Sequence, residues 1–208
     1  MISKAQGKAI PNKVAVTVHP KLSALERGML KWAVVDPDDK VLDASVGEGL
    51  MAEYLRRNMQ CEVCGVSARM EDVRRARSRL QSCDIVYAGT GDIPWRENSF
   101  DAVFMKLEGN GADALPKMLE EARRVLKEGG QLLVGVACPP AGLLLSPFVA
   151  DDGVNGGPVP RKRDMVNLLH KLHFEHLTWQ RTGIATGVLI GWKRKPCLEN
   201  ALEDSPGS

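Results

Sequence analysis

A short apolar segment that runs into a glycine turn, VLDASVGEG from Val41 to Gly49, constrains the fold of this chain more than any other feature. Val41 and Leu42 predict the end of a strand, and LMAEYLRRN after the turn consists of good helix formers. Gly47 and Gly49 allow a tight bend and the close approach of a ligand. A strand, a glycine turn and a helix in this order are typical of the edge of an α/β sheet that holds a nucleotide-like cofactor.

Asp43, at the predicted carboxyl end of that strand, limits the kind of ligand. A carboxylate repels a phosphate that lies beside it, whereas it attracts hydroxyl groups or a positive charge. We therefore expect a ligand that brings hydroxyls or a cation to this turn.

Length and charge exclude several classes of protein. The 208 residues suffice for one domain with a substantial core, and 28 basic against 26 acidic residues give a net charge of +2. Neither a nucleic acid nor a membrane is therefore expected as a partner. No apolar run approaches the ~20 residues of a membrane span. The first residues lack an apolar signal core, and five irregularly spaced cysteines indicate reduced thiols, so a cytoplasmic protein is expected.

Hydrophobic periodicity predicts strands that alternate with helices. Helices are expected at 21–35, 50–59, 70–80, 114–130 (with Gly129 and Gly130 ending it) and 163–174. Strands are expected at 41–43, 61–67, within 84–92, and at 100–106, 131–137, 175–182 and 187–195. This alternation predicts an α/β fold with a mostly parallel seven-stranded sheet, a C-terminal antiparallel hairpin and helices on both faces.

Two further segments fall outside the alternation of helices and strands. VAVTV, Val14 to Val18, predicts a short edge strand or a lid, and CPPAGLLLSPFVADDGVNGGPVP, from Cys138 to Pro160, is too rich in Pro and Gly for one regular element. Long irregular insertions of the second kind are often binding loops. The tail at 197–208 is expected to be disordered.

Five segments appear in an order that resembles a known family. They are VLDASVGEG, GVSARMEDVRRAR, GTGDIPWRENSFDAVF, EEARRVLKEGGQLLV and the final hairpin. Together they resemble a class I S-adenosylmethionine-dependent methyltransferase of the small single-domain type, over roughly Leu22 to Lys195. The resemblance implies a Rossmann-like, doubly wound fold and one methyltransferase-like domain over 1–208, with a cap at 1–35 and a substrate-side loop at 139–160.

The resemblance also implies a cofactor, a reaction and a set of site residues. The cofactor would be S-adenosylmethionine, the product S-adenosylhomocysteine, and the acceptor a small molecule bound by a monomer or homodimer. The methionine part would meet Asp43, Ala44, Ser45, Gly47 and Gly49, and the ribose would meet Val66 and Ser67. The adenine would meet Gly91, Asp92 and Ile93, and Met105 and Lys106 would border the reacting sulfur. No catalytic residue is assigned.

Two serines depart from the family pattern. Ser45 stands where a glycine is usual, and Ser67 stands where an acid usually binds both ribose hydroxyls. A single uncharged hydroxyl cannot replace a bidentate carboxylate. A methyltransferase-like fold kept as a binding or scaffold protein is therefore an open alternative.

A nicotinamide-dependent oxidoreductase is a second alternative, because Gly47, Gly49 and Ala52 satisfy G-x-G-x-x-A. A metal site is not expected, since Cys61 and Cys64 on one strand point to opposite faces. His170, His173 and His176 are expected on the surface. RKR, Arg161 to Arg163, follows the predicted substrate-side loop and suggests an anionic substrate.

Overall fold

The structure is a computed structural model that describes residues 21–107, 114–137, 162–183 and 186–195. Its elements alternate along the chain, as the hydrophobic periodicity predicts. They are α1 (Ala24–Trp32), β1 (Lys40–Asp43), α2 (Leu50–Asn58), β2 (Glu62–Ser67), α3 (Met70–Arg79), β3 (Asp84–Tyr87), β4 (Phe100–Leu107), α4 (Leu115–Val125), β5 (Leu126–Ala137), α5 (Lys162–Lys171), β6 (Phe174–Arg181) and β7 (Thr186–Lys193). The predictions for Val14–Val18, the loop 139–160 and the tail 197–208 lie outside the described residues.

The strands form one seven-stranded sheet in the order β3-β2-β1-β4-β5-β7-β6. The first five strands of that order are parallel, and β7 pairs antiparallel with both β5 and β6. This is the predicted mostly parallel sheet with a C-terminal antiparallel hairpin. The chain reverses its direction across the sheet between β1 and β4, which is the position where sheets of this kind bind ligands.

Helices cover both faces of the sheet, and each face has its own hydrophobic core. One core packs α1, α2 and α3 through Met29, Leu55 and Ala76, and the other packs α4 and α5 through Leu119 and Leu169. The strands are apolar on both faces because both are covered, as expected for a parallel sheet. The predicted doubly wound architecture is confirmed.

Helix α1 is capped at its start and packs directly on the sheet. Ser23 and Glu26 form a reciprocal capping box at its start. The apolar side chains Leu25, Met29 and Leu30 are buried, and Met29 is completely inaccessible. A Cβ atom at Gly135 would lie 2.6 Å from the Met29 sulfur, so glycine in β5 lets α1 pack directly on the strand.

The predicted end of α4 is wrong. The helix ends at Val125, and β5 begins at Leu126 rather than at Gln131. Leu126 has an extended backbone and pairs with Phe100, after which the register shifts before Ala102 pairs with Gln131. Gly129, with φ +77°, therefore belongs to an irregularity within the strand and does not end the helix.

Candidate functional site

A cavity of about 290 Å³ opens where β1, β2, β3 and β4 end. This volume is close to the roughly 300–1,000 Å³ of small-molecule sites. The structure brings most of the predicted site residues together around it. These are Ala44, Ser45, Gly47, Val66, Ser67, Gly91, Asp92, Ile93, Met105 and Lys106. Asp43 and Gly49 are not in its lining.

The turn after β1 is held by hydrogen bonds to both neighbouring strands, and the contact with β2 is the Val46 N–H donating to the Val66 carbonyl at 3.1 Å. The Ala44 N–H donates to the Phe104 carbonyl at 2.8 Å. The Lys106 N–H donates to the Ser45 hydroxyl at 2.7 Å. Ser45 therefore links the turn to the end of β4, a contact that glycine could not make.

Gly47 leaves open space beside the turn. Its φ is +50°, and a Cβ atom built on it would meet no atom closer than 3.9 Å. Any larger side chain would project into the cavity lining, so glycine keeps a cradle for a ligand there.

Asp43 and Gly49 stabilise the turn from outside the cavity lining. Asp43 is fully buried, and its Oδ1 accepts a hydrogen bond from the Ser45 N–H at 3.2 Å. Gly49 precedes α2 with φ +79°, and a Cβ atom on it would lie 3.3 Å from Ala76 and 3.1 Å from Leu80. It therefore allows close packing of α2 against α3.

An ion pair lies where β4 reaches the cavity. Lys106 Nζ is 3.1 Å from Glu26 Oε1, and the two side chains are only 10% and 11% exposed. Burial raises the pKa of Glu26, but the Lys106 charge and hydrogen bonds from Ser23 outweigh it, so this pKa lies below its usual value. Glu26 therefore stays ionised and compensates the ammonium.

Helix α4 clamps the segment that follows β3. Arg124 donates to the carbonyls of Ile93 and Trp95 at 2.8 Å each, while Glu121 accepts from the Ile93 N–H at 3.3 Å. Hydrogen bonds from Arg124 lower the pKa of Glu121. These contacts fix the buried Ile93 side chain in the cavity wall.

Asp92 is the exposed acid of that wall. Its Oδ1 accepts a hydrogen bond from Lys117 Nζ at 2.6 Å, and both side chains are 60% exposed. This hydrogen bond raises the pKa of Lys117. An exposed pair of this kind contributes little stability, so the carboxylate remains available to a ligand.

The sequence analysis missed the corner where β2 leads into α3. Ala68, Arg69 and Asp72 line the cavity beside Ser67, and Met118 of α4 also reaches it. Asp72 is the third residue of α3, so its position depends on how the helix leaves the strand. An acid in the first helical turn after the second strand is the one signal that could have indicated it.

Charges are separated around the cavity. The strand order places the two acids, Asp72 and Asp92, beside the ends of β2 and β3 together with the exposed Arg69, whereas Lys106 lies at the end of β4. The two acids favour a ligand with hydroxyl and amine donors on their side and disfavour phosphate there. A nucleoside joined to an amino acid fits this pattern.

The thiols of Cys64 in β2 and of Cys61 just before it have a structural role. Cys61 lies in the core beneath α1 to α3 and Cys64 in the core beneath α4 and α5. Burial raises the pKa of each thiol to about 11. Within the described residues no group of three or more His, Cys, Asp or Glu side chains could hold a metal ion. His170, His173 and His176 are exposed, as predicted.

No helix in the described part of the chain has the length and apolar character needed to cross a membrane.

The strand order and the cavity at the strand ends define an α/β fold with a candidate site for a nucleotide-like ligand. The family described as "Methyltransferase domain" matches residues 42–134, from the end of β1 to the middle of β5. This match supports a class I S-adenosylmethionine-dependent methyltransferase. S-adenosylmethionine is the cofactor of this family.

Relatives with similar sequences are also named as methyltransferases. The demethylmenaquinone methyltransferase of Thermotoga maritima is 30% identical over 107 residues, which is 51% of this chain and 46% of that protein. The sarcosine/dimethylglycine N-methyltransferase of Halorhodospira halochloris is 28% identical over 145 residues, or 67% of this chain and 46% of that one. The chain thus spans under half the length of these relatives.

Solved structures share the fold. A SAM-dependent methyltransferase from Methanosarcina mazei superposes with a TM-score of 0.63 at 20% identity, covering 78% of this chain and 95% of that one.

Proposed function

We propose that this chain binds S-adenosylmethionine in the cavity and transfers its methyl group to a small-molecule acceptor. The observation that carries the proposal is the convergence of the open Gly47 turn, the two acids and Lys106 on one cavity at the ends of four strands. The match to the methyltransferase family supports the same reading.

The residues present fit this cofactor. Gly47 leaves room for the methionine part, and Lys106, paired with Glu26, would border the reacting sulfur. Asp92 would accept from the adenine amino group, and Ile93 provides an apolar surface for the ring. The cofactor supplies an electrophilic methyl group on a sulfonium, whose sulfur leaves with the bonding electrons as a neutral thioether.

The contribution of the chain is positioning. A displacement of this kind needs the acceptor in line and water excluded, and it does not require a catalytic acid. The turn, tied to β2 and β4, and the clamp from α4 hold the walls of the site rigid.

Calorimetric titration with S-adenosylhomocysteine tests the proposal. Wild-type protein should bind with micromolar affinity, and Gly47→Val should weaken binding at least 10-fold because the side chain fills the cradle. Gly129→Val is the control: it places the same side chain on a second glycine of positive φ (+77°, against +50° for Gly47), outside the cavity lining, where the atoms nearest to a Cβ atom belong to the flexible Lys195 side chain. The control should bind like wild type, and absence of wild-type binding at millimolar ligand would refute the proposal.

A second function, a binding protein without turnover, is favoured by one observation, the serine at position 67. Turnover of S-adenosylmethionine distinguishes the two. The first acceptors to assay are demethylmenaquinone and sarcosine, because the names of two relatives contain these compounds. Tight cofactor binding with no methylated product from a broad acceptor panel would favour the second function.

A further inference from the structure

Ser67 cannot serve the ligand as a carboxylate would, and its hydroxyl is already engaged. It accepts a hydrogen bond from the Arg69 N–H at 3.1 Å and donates a long one to Asp72 Oδ2 at 3.4 Å. The serine at the end of β2 is therefore hydrogen-bonded to a carboxylate of α3, that of Asp72.

Asp72 is suited to receive a ligand. Its side chain is 15% exposed and lines the cavity. Its contacts with Ser67 and Arg69 both use Oδ2, and within the described residues Oδ1 has no hydrogen-bond partner. One carboxylate oxygen of this cavity-lining side chain thus has no hydrogen-bond partner within the described residues.

Arg69 competes only weakly for this carboxylate. Its Nε is 3.7 Å from Asp72 Oδ2, and its side chain is 72% exposed. Exposed ion pairs of such length contribute little, so a ligand hydroxyl can share the carboxylate with it. The adjacent Asp92 adds negative charge to the same side, which favours neutral hydroxyls over a ribose that carries a phosphate.

We propose that Asp72 is the carboxylate that accepts hydrogen bonds from the ribose hydroxyls of the cofactor, reached from α3 rather than from the end of β2, with Ser67 positioning it. The proposal rests on the proposed function, since it names a group that holds the same cofactor. It explains how a chain with serine at the strand end keeps a charged ribose contact.

The test compares two ligands on matched variants. S-adenosylhomocysteine and its 2′-deoxyribose analogue are titrated by calorimetry into wild type, Asp72→Asn and Glu71→Gln. Glu71 lies in the same helical turn, is 61% exposed and pairs with Arg75, so Glu71→Gln controls for the loss of one acid. Circular dichroism and thermal unfolding show whether each variant folds.

We expect Asp72→Asn to weaken S-adenosylhomocysteine binding about 10- to 100-fold, since hydrogen bonds to a charged group are lost. Glu71→Gln should stay within about twofold of wild type. The deoxy analogue should bind wild type about 10-fold more weakly than the parent ligand, and this penalty should nearly vanish in Asp72→Asn.

Moving the acid back to the strand gives an independent check. Ser67→Asp combined with Asp72→Asn should recover most of the lost affinity. Ser67→Asp alone should give no gain, because two adjacent carboxylates repel each other.

Each contrary result has a distinct meaning. Wild-type binding that Asp72→Asn leaves unchanged would overturn the role of Asp72 and leave the proposed function standing. If Asp72→Asn does not fold, equal wild-type affinity for the parent ligand and the deoxy analogue would overturn it in the same way. No wild-type binding of S-adenosylhomocysteine would overturn both.

Discussion

Glu26 compensates a lysine that reaches the candidate site, and this gives it a role beyond capping α1. The Lys106 ammonium is 10% exposed and lies 3.1 Å from the Glu26 carboxylate. A cationic ligand such as a sulfonium would be repelled by an uncompensated ammonium, whereas a neutral thioether would not. The pair therefore affects how strongly the cavity distinguishes S-adenosylmethionine from S-adenosylhomocysteine.

We predict that Glu26→Gln weakens binding of S-adenosylmethionine roughly 3- to 10-fold more than binding of S-adenosylhomocysteine. The amide can still accept the hydrogen bond that the Ser23 N–H donates, so the change removes charge more than structure. Calorimetry with both ligands measures the ratio. Ser23→Ala is the control, since it breaks the capping box and leaves the ion pair; it should lower the free energy of unfolding by about 1 kcal/mol without changing the ratio. An unchanged ratio in Glu26→Gln would contradict the prediction.

Single residues also show where sequence reasoning reaches its limit. Gly47 could be predicted because positive φ and close approach are properties of glycine itself. The function of Ser45 could not, because its partner, the Lys106 N–H, is 61 positions away and depends on the pairing of β1 with β4. Asp72 was missed for the same reason, since its place in the cavity follows from the direction of α3.

At the scale of elements, α4 supports the cavity wall through two side chains, Glu121 and Arg124, that are not part of the cavity lining. Arg124 and Glu121 hold the backbone at Ile93 and Trp95, and Trp95 packs edge-on against Phe100 with ring centroids 5.6 Å apart. The helix thus connects the loop after β3 to the core. Loss of this clamp should loosen the loop before it unfolds the protein.

The clamp predicts an acid-sensitive contribution to stability. Arg124 lowers the pKa of Glu121 below its ordinary value of 4.5, so the contribution is present above that pH and is lost as the pH falls through the lower folded-state pKa. Glu121→Gln should lower the free energy of unfolding at pH 7 by about 1 kcal/mol, and its difference from wild type should shrink below pH 4.5. Urea unfolding at several pH values measures this difference.

Glu120→Gln is the control for that experiment, because Glu120 is the exposed neighbour on the same helix. It should match wild type across the pH range. Hydrogen exchange adds a local readout: the Ile93 and Trp95 amides should exchange faster in Glu121→Gln only. A difference from wild type that persists undiminished at acid pH would contradict the linkage.

The positions of helices and strands could be predicted where burial is periodic. They were harder to predict where the local backbone geometry determines the end of an element. Strands β1 to β4 are short apolar runs between turn signals, and their positions agree with expectation. The end of α4 differs because the helix passes directly into β5, and the glycines that usually follow a helix serve an irregular strand register instead. A glycine pair alone does not distinguish these two uses.

At the scale of the whole molecule, the sheet separates two hydrophobic cores. Cys61 lies in the core of α1, α2 and α3, and Cys64 lies in the core of α4 and α5, so the reactivity of each thiol measures the opening of its own core. Both thiols are 4% exposed, and burial raises the pKa of each to about 11, so neither should react with a thiol reagent in the native state. Reaction at either cysteine therefore requires its own layer to open. If the chain is one domain, as the sequence predicts, the two layers should open together.

We predict that Cys61 and Cys64 are labelled by a thiol reagent with opening free energies that agree within about 0.5 kcal/mol and fall in parallel as urea is added. Half-buried Cys83 should react earlier and serves as the internal reference. Mass spectrometry after cleavage at Glu62, which separates the two buried cysteines, follows each rate. Much faster labelling of Cys61 would mean that the layer of α1, α2 and α3 opens independently. The Gly47 turn and Asp72 both depend on that layer, so the candidate site would then be only as stable as the weaker half of the fold.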